Sequence, residues 1–291
     1  MDLVRRGDFE RAWRLTDQMR AHTRRFGDPT VPRHLQQVWN GTSLAGRRVL
    51  VRCYHGLGDT VQFARYLPRL CSIAQDVILW AQPGLLPILR TLDADVTLLP
   101  LHDGTPEADF DVDIEIMELA YAFRTTIATI PAVVPYLNAP PAPLRATPGP
   151  QIGLVWRAGD PGDPRSLALD QLSPLLDDTA MSWYALQVDR RDDERHPRLQ
   201  PVDLGAVRET AAYMRAMDLV ISVDSLPAHL AGALGVPVWT LLPHEADWRW
   251  MESRADSPWY PTMRLFRQRK PGDWRDVIED VRRALDSPTA G

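Results

Sequence analysis

The fold is decided by the stretch DLVISVDSLPAHLAGALGVPVW, residues 218–239. Its first six residues form a mostly apolar run that predicts a buried strand. A helix is predicted next, because Pro227 suits a first helical turn and Gly235 suits the position just past a helix end. A second apolar run, from Val236, predicts another strand. Strands that alternate with helices in this way indicate an α/β fold with a mostly parallel sheet.

The carboxyl end of the predicted strand meets the amino end of the helix at Asp224 and Ser225. α/β folds bind anionic ligands at such junctions, since the free helix amides point at the ligand. Ser225 can offer a hydroxyl, and His229 lies one turn into the helix, close enough to face the same ligand. The alternative is that Asp224 or Ser225 only caps the helix and that His229 packs inside. The pattern leaves both interpretations open.

Further apolar runs extend this alternation in both directions along the chain. They predict six more strands, at residues 49–53, 77–81, 96–101, 112–116, 152–156 and 183–188. The segment 130–150 holds seven prolines, which exclude a helix or a central strand there. We therefore expect two α/β domains, residues 45–145 and 146–291, joined by a proline-rich linker and facing a cleft. Small-molecule sites often lie between domains.

The first 44 residues are predicted to form a helical extension. Apolar residues such as Leu3, Phe9 and Trp13 recur at helical spacing over residues 1 to about 40, with a break at Gly27-Asp28-Pro29. This pattern is typical of one helix-turn-helix unit of a helical repeat. A single unit cannot bury its own apolar face, so we expect it to dock on something else.

A glycine turn, YHGLGDTVQ, follows the first predicted strand at residues 54–62. Glycines such as Gly58 let a ligand approach the backbone, and a helix is expected from about Thr60. Val61 stands where a dinucleotide-binding turn needs glycine or alanine, which disfavours a dehydrogenase. Asp59 with Gln62 matches a capping box, and the pattern alone favours this role over a catalytic one.

Arg165 and Ser166 follow a loop rich in glycine and proline, residues 159–164. An arginine on such a loop can bind a phosphate through two parallel hydrogen bonds. Lys270 is the single lysine, so 32 of the 33 basic residues are arginine. Any phosphate clamp must therefore be built from arginine or backbone amides. A solitary arginine is also a common surface residue.

Aromatic residues cluster near the carboxyl terminus of the chain. Trp248, Trp250 and Trp259 lie close together in sequence with Tyr260. Such rings can stack on a base or a sugar, and Trp248 and Trp250 are the candidates. Packing between the last helices and the domains is the favoured alternative.

Composition excludes several classes of protein. The charged fraction of 24% and the hydrophobic fraction of 45% are those of a folded globular chain. A formal charge of −5 provides no chain-wide basic field for nucleic acid or an anionic membrane. We find neither an apolar run long enough to span a bilayer nor a secretory signal. Two cysteines and the absence of histidine pairs at ligand spacing predict no metal site and a reduced, cytoplasmic protein.

Four blocks together resemble the glycosyltransferase domain found behind tetratricopeptide repeats in bacteria. They are GLGDTVQFARYLPRL, IGLVW with RSLAL, the 218–239 stretch, and DWRW through DSPWYPTMRLFRQRKPGDW. That domain is similar to the ADP-heptose:lipopolysaccharide heptosyltransferases, a GT9-like family with the GT-B fold. The resemblance covers roughly residues 45–290. It implies two Rossmann-like domains, with the donor nucleotide held by the second, the acceptor by the first, and no metal or other cofactor.

The resemblance also implies roles for single residues. Asp59 matches the aspartate proposed as general base for the acceptor in that family. Donor phosphate and sugar contacts are implied for Gly58, Arg165, Ser166, Asp224, Ser225 and His229. Negative charge that grows on the departing diphosphate would then be stabilised by amides and Arg165, without magnesium.

The expected function is transfer of a sugar, with inversion, from a nucleotide-diphosphate donor to a protein or a surface glycan. Two departures from the family concern the phosphate site: the 157–164 loop is short, and Leu226-Pro227 replaces small residues. They leave two alternatives, a catalytically silent GT-B module that binds a partner, and a nucleotide-sugar epimerase.

Overall fold

The computed structural model describes residues 2–144, 149–159 and 162–287. The chain divides into two compact units after Asn138. The domain boundary predicted at 145/146 falls in the segment 145–148, which lies outside the described residues. The predicted N-terminal extension is part of the first compact unit.

The first unit is built on a four-stranded parallel sheet in the order β3-β2-β1-β4. Its strands are β1 (Arg48–Arg52), β2 (Asp76–Ala81), β3 (Thr97–Pro100) and β4 (Val112–Glu115). Its α-helices are α1 (Asp2–Arg5), α2 (Phe9–Ala21), α3 (Leu57–Phe63), α4 (Leu67–Cys71), α5 (Leu86–Leu89) and α6 (Glu118–Ala122). The central residues of β1, VLV at 49–51, are completely buried, because helices or loops cover both faces of a parallel sheet.

The second unit is built on a six-stranded parallel sheet in the order β10-β9-β8-β5-β6-β7. Its strands are β5 (Gln151–Val155), β6 (Ser182–Ala185), β7 (Leu199–Pro201), β8 (Leu219–Val223), β9 (Val238–Leu242) and β10 (Met263–Arg267). Its α-helices are α7 (Ser173–Leu176), α8 (Val207–Met214), α9 (Leu226–Ala233) and α10 (Arg275–Asp286). The predicted alternation of strands and helices is confirmed in both units.

Two strands at the edges of the second sheet are missing from the sequence-based prediction. β7 has only three residues, and arginines interrupt the apolar pattern of β10. Both strands pair with a single neighbour, so a continuous apolar run is not needed to bury them.

The prediction of helix over the first 40 residues is correct only as far as Ala21, where α2 ends. Beyond it, residues 22–47 contain one 3-10 turn, Arg33–Leu35, and otherwise irregular chain. The Asp28 carboxylate accepts hydrogen bonds from the backbone N–H and the hydroxyl of Thr30, at 3.0 and 2.7 Å, which forms a local turn. Pro29, within this turn, and Pro32, just after it, prevent the helix from resuming.

The N-terminal segment docks on the first unit through the half-buried carboxylate of Glu118. It accepts hydrogen bonds from Arg20 Nη1 at 2.8 Å and from the backbone N–H of Trp39 at 2.9 Å. The Arg20 guanidinium lies 5.2 Å from the ring centroids of Phe26, Trp39 and Tyr121. Burial raises the pKa of Glu118, and the hydrogen bonds from Trp39 and Arg20 oppose this rise. The expected docking surface is thus the first unit itself.

In each sheet the strand order reverses beside the first strand of the unit. β1 lies between β2 and β4, and β5 lies between β6 and β8. Ligands of open α/β sheets bind at the carboxyl ends of the two strands on either side of such a reversal. Candidate site residues are therefore those that follow β1 and β4 in the first unit, and β5 and β8 in the second.

Arg20→Ala should lower the free energy of unfolding by about 2 kcal/mol, because it removes a charged hydrogen bond from the half-buried Glu118 carboxylate. Urea unfolding followed by circular dichroism measures this loss. Arg14→Ala is the matched control, since Arg14 is exposed on the same helix and its replacement should change stability by less than about 0.5 kcal/mol. Equal effects of the two substitutions would contradict the role of the Arg20–Glu118 pair.

Candidate functional site

Arg165 connects the loop after β5 with the loop after β8. Its Nε and Nη2 donate to the Asp163 carboxylate at 2.9 and 2.6 Å, and its Nη1 donates to the backbone carbonyl of Asp224 at 3.1 Å. Hydrogen bonds from Arg165 hold the pKa of Asp163 below its ordinary value. The structure thus brings together Arg165 and Asp224, which the sequence predicted to share a site.

A glycine allows the Asp163–Arg165 pair to form. Gly159 has a φ of +51°, and a Cβ there would lie 2.7 Å from Asp163 Oδ2 and 3.2 Å from Arg165 Nη2. Ser166 closes the same loop, because its Oγ accepts from the Ala158 N–H at 2.9 Å and donates to the Ala158 carbonyl at 3.1 Å. Ser166 therefore holds the loop that carries Arg165.

Asp224 is a buried carboxyl group, 5% exposed, at the end of β8. Burial raises its pKa, and the positive charges of Arg249 and Arg165 oppose this rise. The next residue, Ser225, is the N-cap residue of α9. Its Oγ donates to the Val223 carbonyl at 3.2 Å, so in this structure the hydroxyl is bonded to the strand end.

His229 lies inside the second unit, where its two ring nitrogens contact different side chains. Nε2 is 3.4 Å from Arg249 Nη1, and Nδ1 is 3.0 Å from the Tyr260 hydroxyl. A guanidinium only donates, so we assign Nε2 as the acceptor and Nδ1 as the protonated nitrogen. The buried ring stacks on Trp250 with centroids 5.2 Å apart. His229 therefore supports Arg249, whose charge acts on Asp224.

The two candidate stacking tryptophans differ in exposure. Trp250 is fully buried, so its rings are unavailable to a base or a sugar in this structure. Trp248 is half-buried and lies edge-on to Trp259, with centroids 6.1 Å apart. Stacking by Trp248 stays a prediction.

A cavity of about 550 Å³ opens at the carboxyl edge of the second sheet. Arg157, Gly159, Ser166, Glu194 and Trp274 are among its lining residues. The Arg157 guanidinium pairs with the Glu194 carboxylate, with Nε 2.7 Å from Oε1, and fixes one wall. The sequence analysis missed this pair. Arg157 follows a predicted strand, but its partner lies in a charge-rich loop without a motif.

The glycine turn of the first unit begins a helix three residues earlier than predicted. Gly56 is the N-cap residue of α3, and Gly58 and Asp59 lie in the first turn. Asp59 Oδ2 accepts from the Gly56 N–H at 3.0 Å. Asp59 is therefore not the N-cap residue of a helix that starts at Thr60, since it reaches back from inside the helix. This is the second half of a capping box.

A histidine and a buried glutamate lie at the strand-order reversal of the first unit, and the sequence analysis missed both. His55 Nδ1 is 2.9 Å from Glu115 Oε1. Gln82, just after β2, donates from Nε2 to the carbonyls of Cys53 and His55, at 3.1 and 2.8 Å. An isolated histidine next to a glycine carries no motif, and its partner is distant in sequence.

Within residues 2–144, 149–159 and 162–287, no group of three or more His, Cys, Asp or Glu side chains could hold a metal ion. The same described residues contain no helix with the length and apolar character needed to cross a membrane.

Comparison with known proteins gives one curated relative and several solved structures of similar fold. No family model matches the chain. Protein FlbA of Caulobacter vibrioides is 26% identical over 285 residues, which cover 85% of this chain and 48% of FlbA. The chain thus spans about half the length of the curated relative it matches.

Three solved structures superpose on most of the chain. The iron-containing dodecameric glycosyltransferase TibC of enterotoxigenic E. coli H10407 has a TM-score of 0.55 at 14% identity, over 81% of this chain and 68% of TibC. E. coli heptosyltransferase WaaC with ADP-2-deoxy-2-fluoro heptose has a TM-score of 0.52 at 12% identity, over 82% and 99%. A family 9 glycosyltransferase of Veillonella parvula DSM 2008 has a TM-score of 0.51 at 13% identity, over 85% and 92%. The chain therefore has the α/β fold with two parallel sheets of the GT-B glycosyltransferases.

Proposed function

We propose that this chain is a nucleotide-sugar glycosyltransferase in which the second unit binds the donor and the first unit serves the acceptor. We further propose that transfer inverts the anomeric carbon, needs no metal, and uses a protein or a surface glycan as acceptor. The observation that carries this proposal is the hydrogen bond of Arg165 to the Asp224 carbonyl, which brings a guanidinium to the strand-order reversal of the second sheet.

The chemistry of this junction suits a diphosphate. A guanidinium is always charged and matches phosphate oxygens with two parallel N–H donors. α9 begins directly after Ser225 and adds the positive end of a helix dipole. As the bond from the anomeric carbon to the diphosphate breaks, negative charge grows on the leaving oxygen, and these fixed donors stabilise it. This arrangement would supply the charge that magnesium supplies in other transferases.

The ligands of structures with the same fold indicate which donor to test first. WaaC structures were determined with ADP and with an ADP sugar, and TibC with ADP-D-beta-D-heptose. The cavity of about 550 Å³ beside Arg157 and Gly159 lies in the size range of small-molecule sites. We therefore propose an adenine nucleotide sugar as the first donor to examine.

Two residues of the glycine turn are candidates for the base that removes the acceptor proton. Asp59 has the position that the family resemblance implies. One of its oxygens, Oδ2, accepts the Gly56 N–H at 3.0 Å. His55 is the other candidate.

One observation favours the alternative of a silent binding module. The Asp163 carboxylate already occupies two nitrogens of Arg165, and it would repel a diphosphate. A working transferase needs the donor to compete with Asp163 for the guanidinium. The binding experiments below separate the two functions.

ADP at 100 times its dissociation constant should stabilise the full chain by roughly 2.7 kcal/mol without metal. UDP, GDP and CMP are tested in parallel by thermal unfolding. Arg165→Met should weaken ADP binding about 10- to 100-fold, because a charged hydrogen bond contributes about 1.5–3 kcal/mol. Arg208→Met, an exposed change on α8, is the matched control and should bind as the wild type does. If none of the four nucleotides shifts the unfolding temperature, the silent module is favoured.

Asp163→Asn should tighten ADP binding several-fold, since it removes the negative charge that competes with the diphosphate for Arg165. Isothermal titration calorimetry at constant ionic strength measures the change. Asp192→Asn, in an exposed loop of the same unit, controls for the lost charge. Weaker binding by Asp163→Asn would mean that Asp163 orients Arg165 for the ligand and does not compete with it.

A further inference from the structure

A cavity of about 900 Å³ lies in the first unit, where its lining residues range from Phe26 to Asp113. We propose that this cavity binds an uncharged saccharide unit of the acceptor, with the N-terminal segment as one of its walls. The inference rests on the proposed transferase function. It deepens that function, because it assigns the acceptor to the glycans and gives its binding unit a chemical class.

Three segments that are distant in sequence line the cavity. The first consists of residues within 26–40 and is called the N-terminal wall. The second is the loop after β3, at residues 103–106, and the third is the edge of the sheet at Arg52, Tyr54 and Asp113. Arg52 ends β1 and Asp113 lies in β4, so the cavity adjoins the strand-order reversal where open α/β sheets bind ligands. Tyr54 begins the glycine turn, so the cavity also reaches the segment that carries the candidate bases.

The N-terminal wall precedes residue 45, where the resemblance to the glycosyltransferase domain begins. Its chain is irregular apart from the 3-10 turn Arg33–Leu35. Irregular segments held on a rigid scaffold often carry the binding residues of a protein. What this cavity binds is therefore a feature of this chain and does not follow from the shared fold.

Arg33 fastens the N-terminal wall to the loop after β3. Its Nη1 donates to the His102 carbonyl at 2.8 Å, and its Nη2 donates to the Gly104 carbonyl at 3.2 Å. Within the wall, Gln36 Nε2 donates to the Val31 carbonyl at 2.8 Å. The walls of the cavity are thus connected before a ligand enters, which lowers the entropy that binding must spend on ordering them.

Arg52 is fixed on the opposite side by an ion pair and by aromatic rings. Its Nε and Nη2 lie 2.8 and 2.7 Å from Asp113 Oδ2, and its Nη1 donates to the Tyr54 hydroxyl. The guanidinium carbons of Arg33 and Arg52 lie 5.3 and 5.6 Å from the ring centroid of Tyr54. They lie 5.4 and 5.7 Å from that of Trp80. Both planar groups are therefore oriented in advance.

The charges that line the cavity are balanced. Arg52 pairs with Asp113, and Arg33 Nη1 lies 3.8 Å from the exposed Asp103 carboxylate. The lining residues lie in strands, loops and one 3-10 turn, so helix amides do not add positive charge here as α9 does beside Arg165. A phosphate or a carboxylate would meet as many acidic as basic side chains. The cavity therefore favours an uncharged ligand.

The side chains of the cavity offer both hydrogen-bond donors and acceptors. Arg33 and Arg52 donate, the Asp113 carboxylate accepts, and the amides of Gln36 and Asn40 do both. Both contacts from Arg52 engage Asp113 Oδ2, so Oδ1 can accept from a ligand hydroxyl. Neighbouring hydroxyls of a sugar ring also donate and accept, and they match planar side chains of this kind. The volume lies in the size range of small-molecule sites.

The proposed role in transfer is to hold the acceptor sugar beside the glycine turn. A hydroxyl oxygen of that sugar forms a bond with the anomeric carbon of the donor. The bond from that carbon to the diphosphate breaks with its electron pair on the diphosphate, and the hydroxyl proton moves to the base of the turn.

Saturation-transfer NMR with the full chain tests the cavity without any activity. The probes are the methyl glycosides of glucose, galactose, mannose, rhamnose and N-acetylglucosamine, with glucuronate and glucose 6-phosphate as anionic counterparts. At least one uncharged sugar should bind, and it should bind more tightly than either anion. Binding of the anions alone, or of none of these probes, would overturn the proposal.

Substitutions determine whether the sugar occupies this cavity. Arg33→Met and Asp113→Asn should each weaken its binding about tenfold or more, because each removes a charged hydrogen-bonding group. Asn40→Ala, an exposed change with little expected effect on folding, should weaken it several-fold. Arg24→Met and Asp93→Asn, at exposed positions of the same unit, are the matched controls and should bind as the wild type does. Unchanged binding in all three cavity variants would locate the sugar elsewhere and contradict the proposal.

Release of ADP from ADP-heptose separates this inference from the proposed function. The sugar that binds should accelerate the release, and Arg33→Met should raise the KM for that sugar about tenfold while the affinity for ADP stays unchanged. Sugar binding by a chain that neither binds ADP nor releases it would overturn the transferase function and leave a saccharide site. Release that a peptide rich in serine and threonine accelerates, and that none of the sugars accelerates, would instead support the transferase and overturn the glycan acceptor.

Discussion

The site of the second unit depends on the hydrogen bond between Arg165 Nη1 and the Asp224 carbonyl. Where the strand order of a parallel sheet reverses, the two loops that leave adjacent strands diverge and open a crevice. Sheet hydrogen bonds end with the strands, so they do not connect these loops. Arg165 makes the connection from the loop after β5 to the loop after β8. The bond also fixes a positive charge at the crevice, beside the start of α9.

In the first unit, the loops at the corresponding positions are those that follow β1 and β4. An acidic side chain connects them, where the second unit uses a basic one. Glu115, at the end of β4, accepts a hydrogen bond from the Tyr54 N–H in the turn after β1, and the Gln82 amide connects that turn with the end of β2. At the carboxyl edge of its sheet, the second unit therefore presents a guanidinium and helix amides, and the first unit presents a carboxylate and an imidazole. Group transfer needs both kinds of site, one for a leaving group that gains negative charge and one for a nucleophile that loses a proton.

Local signals of the sequence predicted the elements, and contacts between distant segments produced the errors. Pro227 and Gly235 bracket α9 because their backbone preferences act within one turn. Local sequence does not decide the role of Asp59, since an aspartate can cap a helix from the N-cap position or from the third residue, and the choice depends on whether Gly56 begins the helix. The pairing of His55 with Glu115 has no local signal at all. Only the parallel pairing of β1 with β4 brings the two together.

A local pairing with aspartate orients three of the arginines, and the fold decides which of them lie in a site. Three Asp-x-Arg sequences, Asp163–Arg165, Asp247–Arg249 and Asp273–Arg275, share one geometry, in which Nε lies 2.9 Å from Oδ1. This pairing uses one edge of the guanidinium and leaves Nη1 for another partner. Arg165 gives it to the Asp224 carbonyl and Arg249 directs it to His229 Nε2, whereas Arg275 lies on the surface with a side chain that is 87% exposed. The Asp-x-Arg sequence does not dictate this pairing by itself, since Arg282 of Asp280–Arg282 donates to Glu279 instead. Where the pairing forms, it orients the guanidinium, and the loop that carries it decides whether that guanidinium belongs to a site.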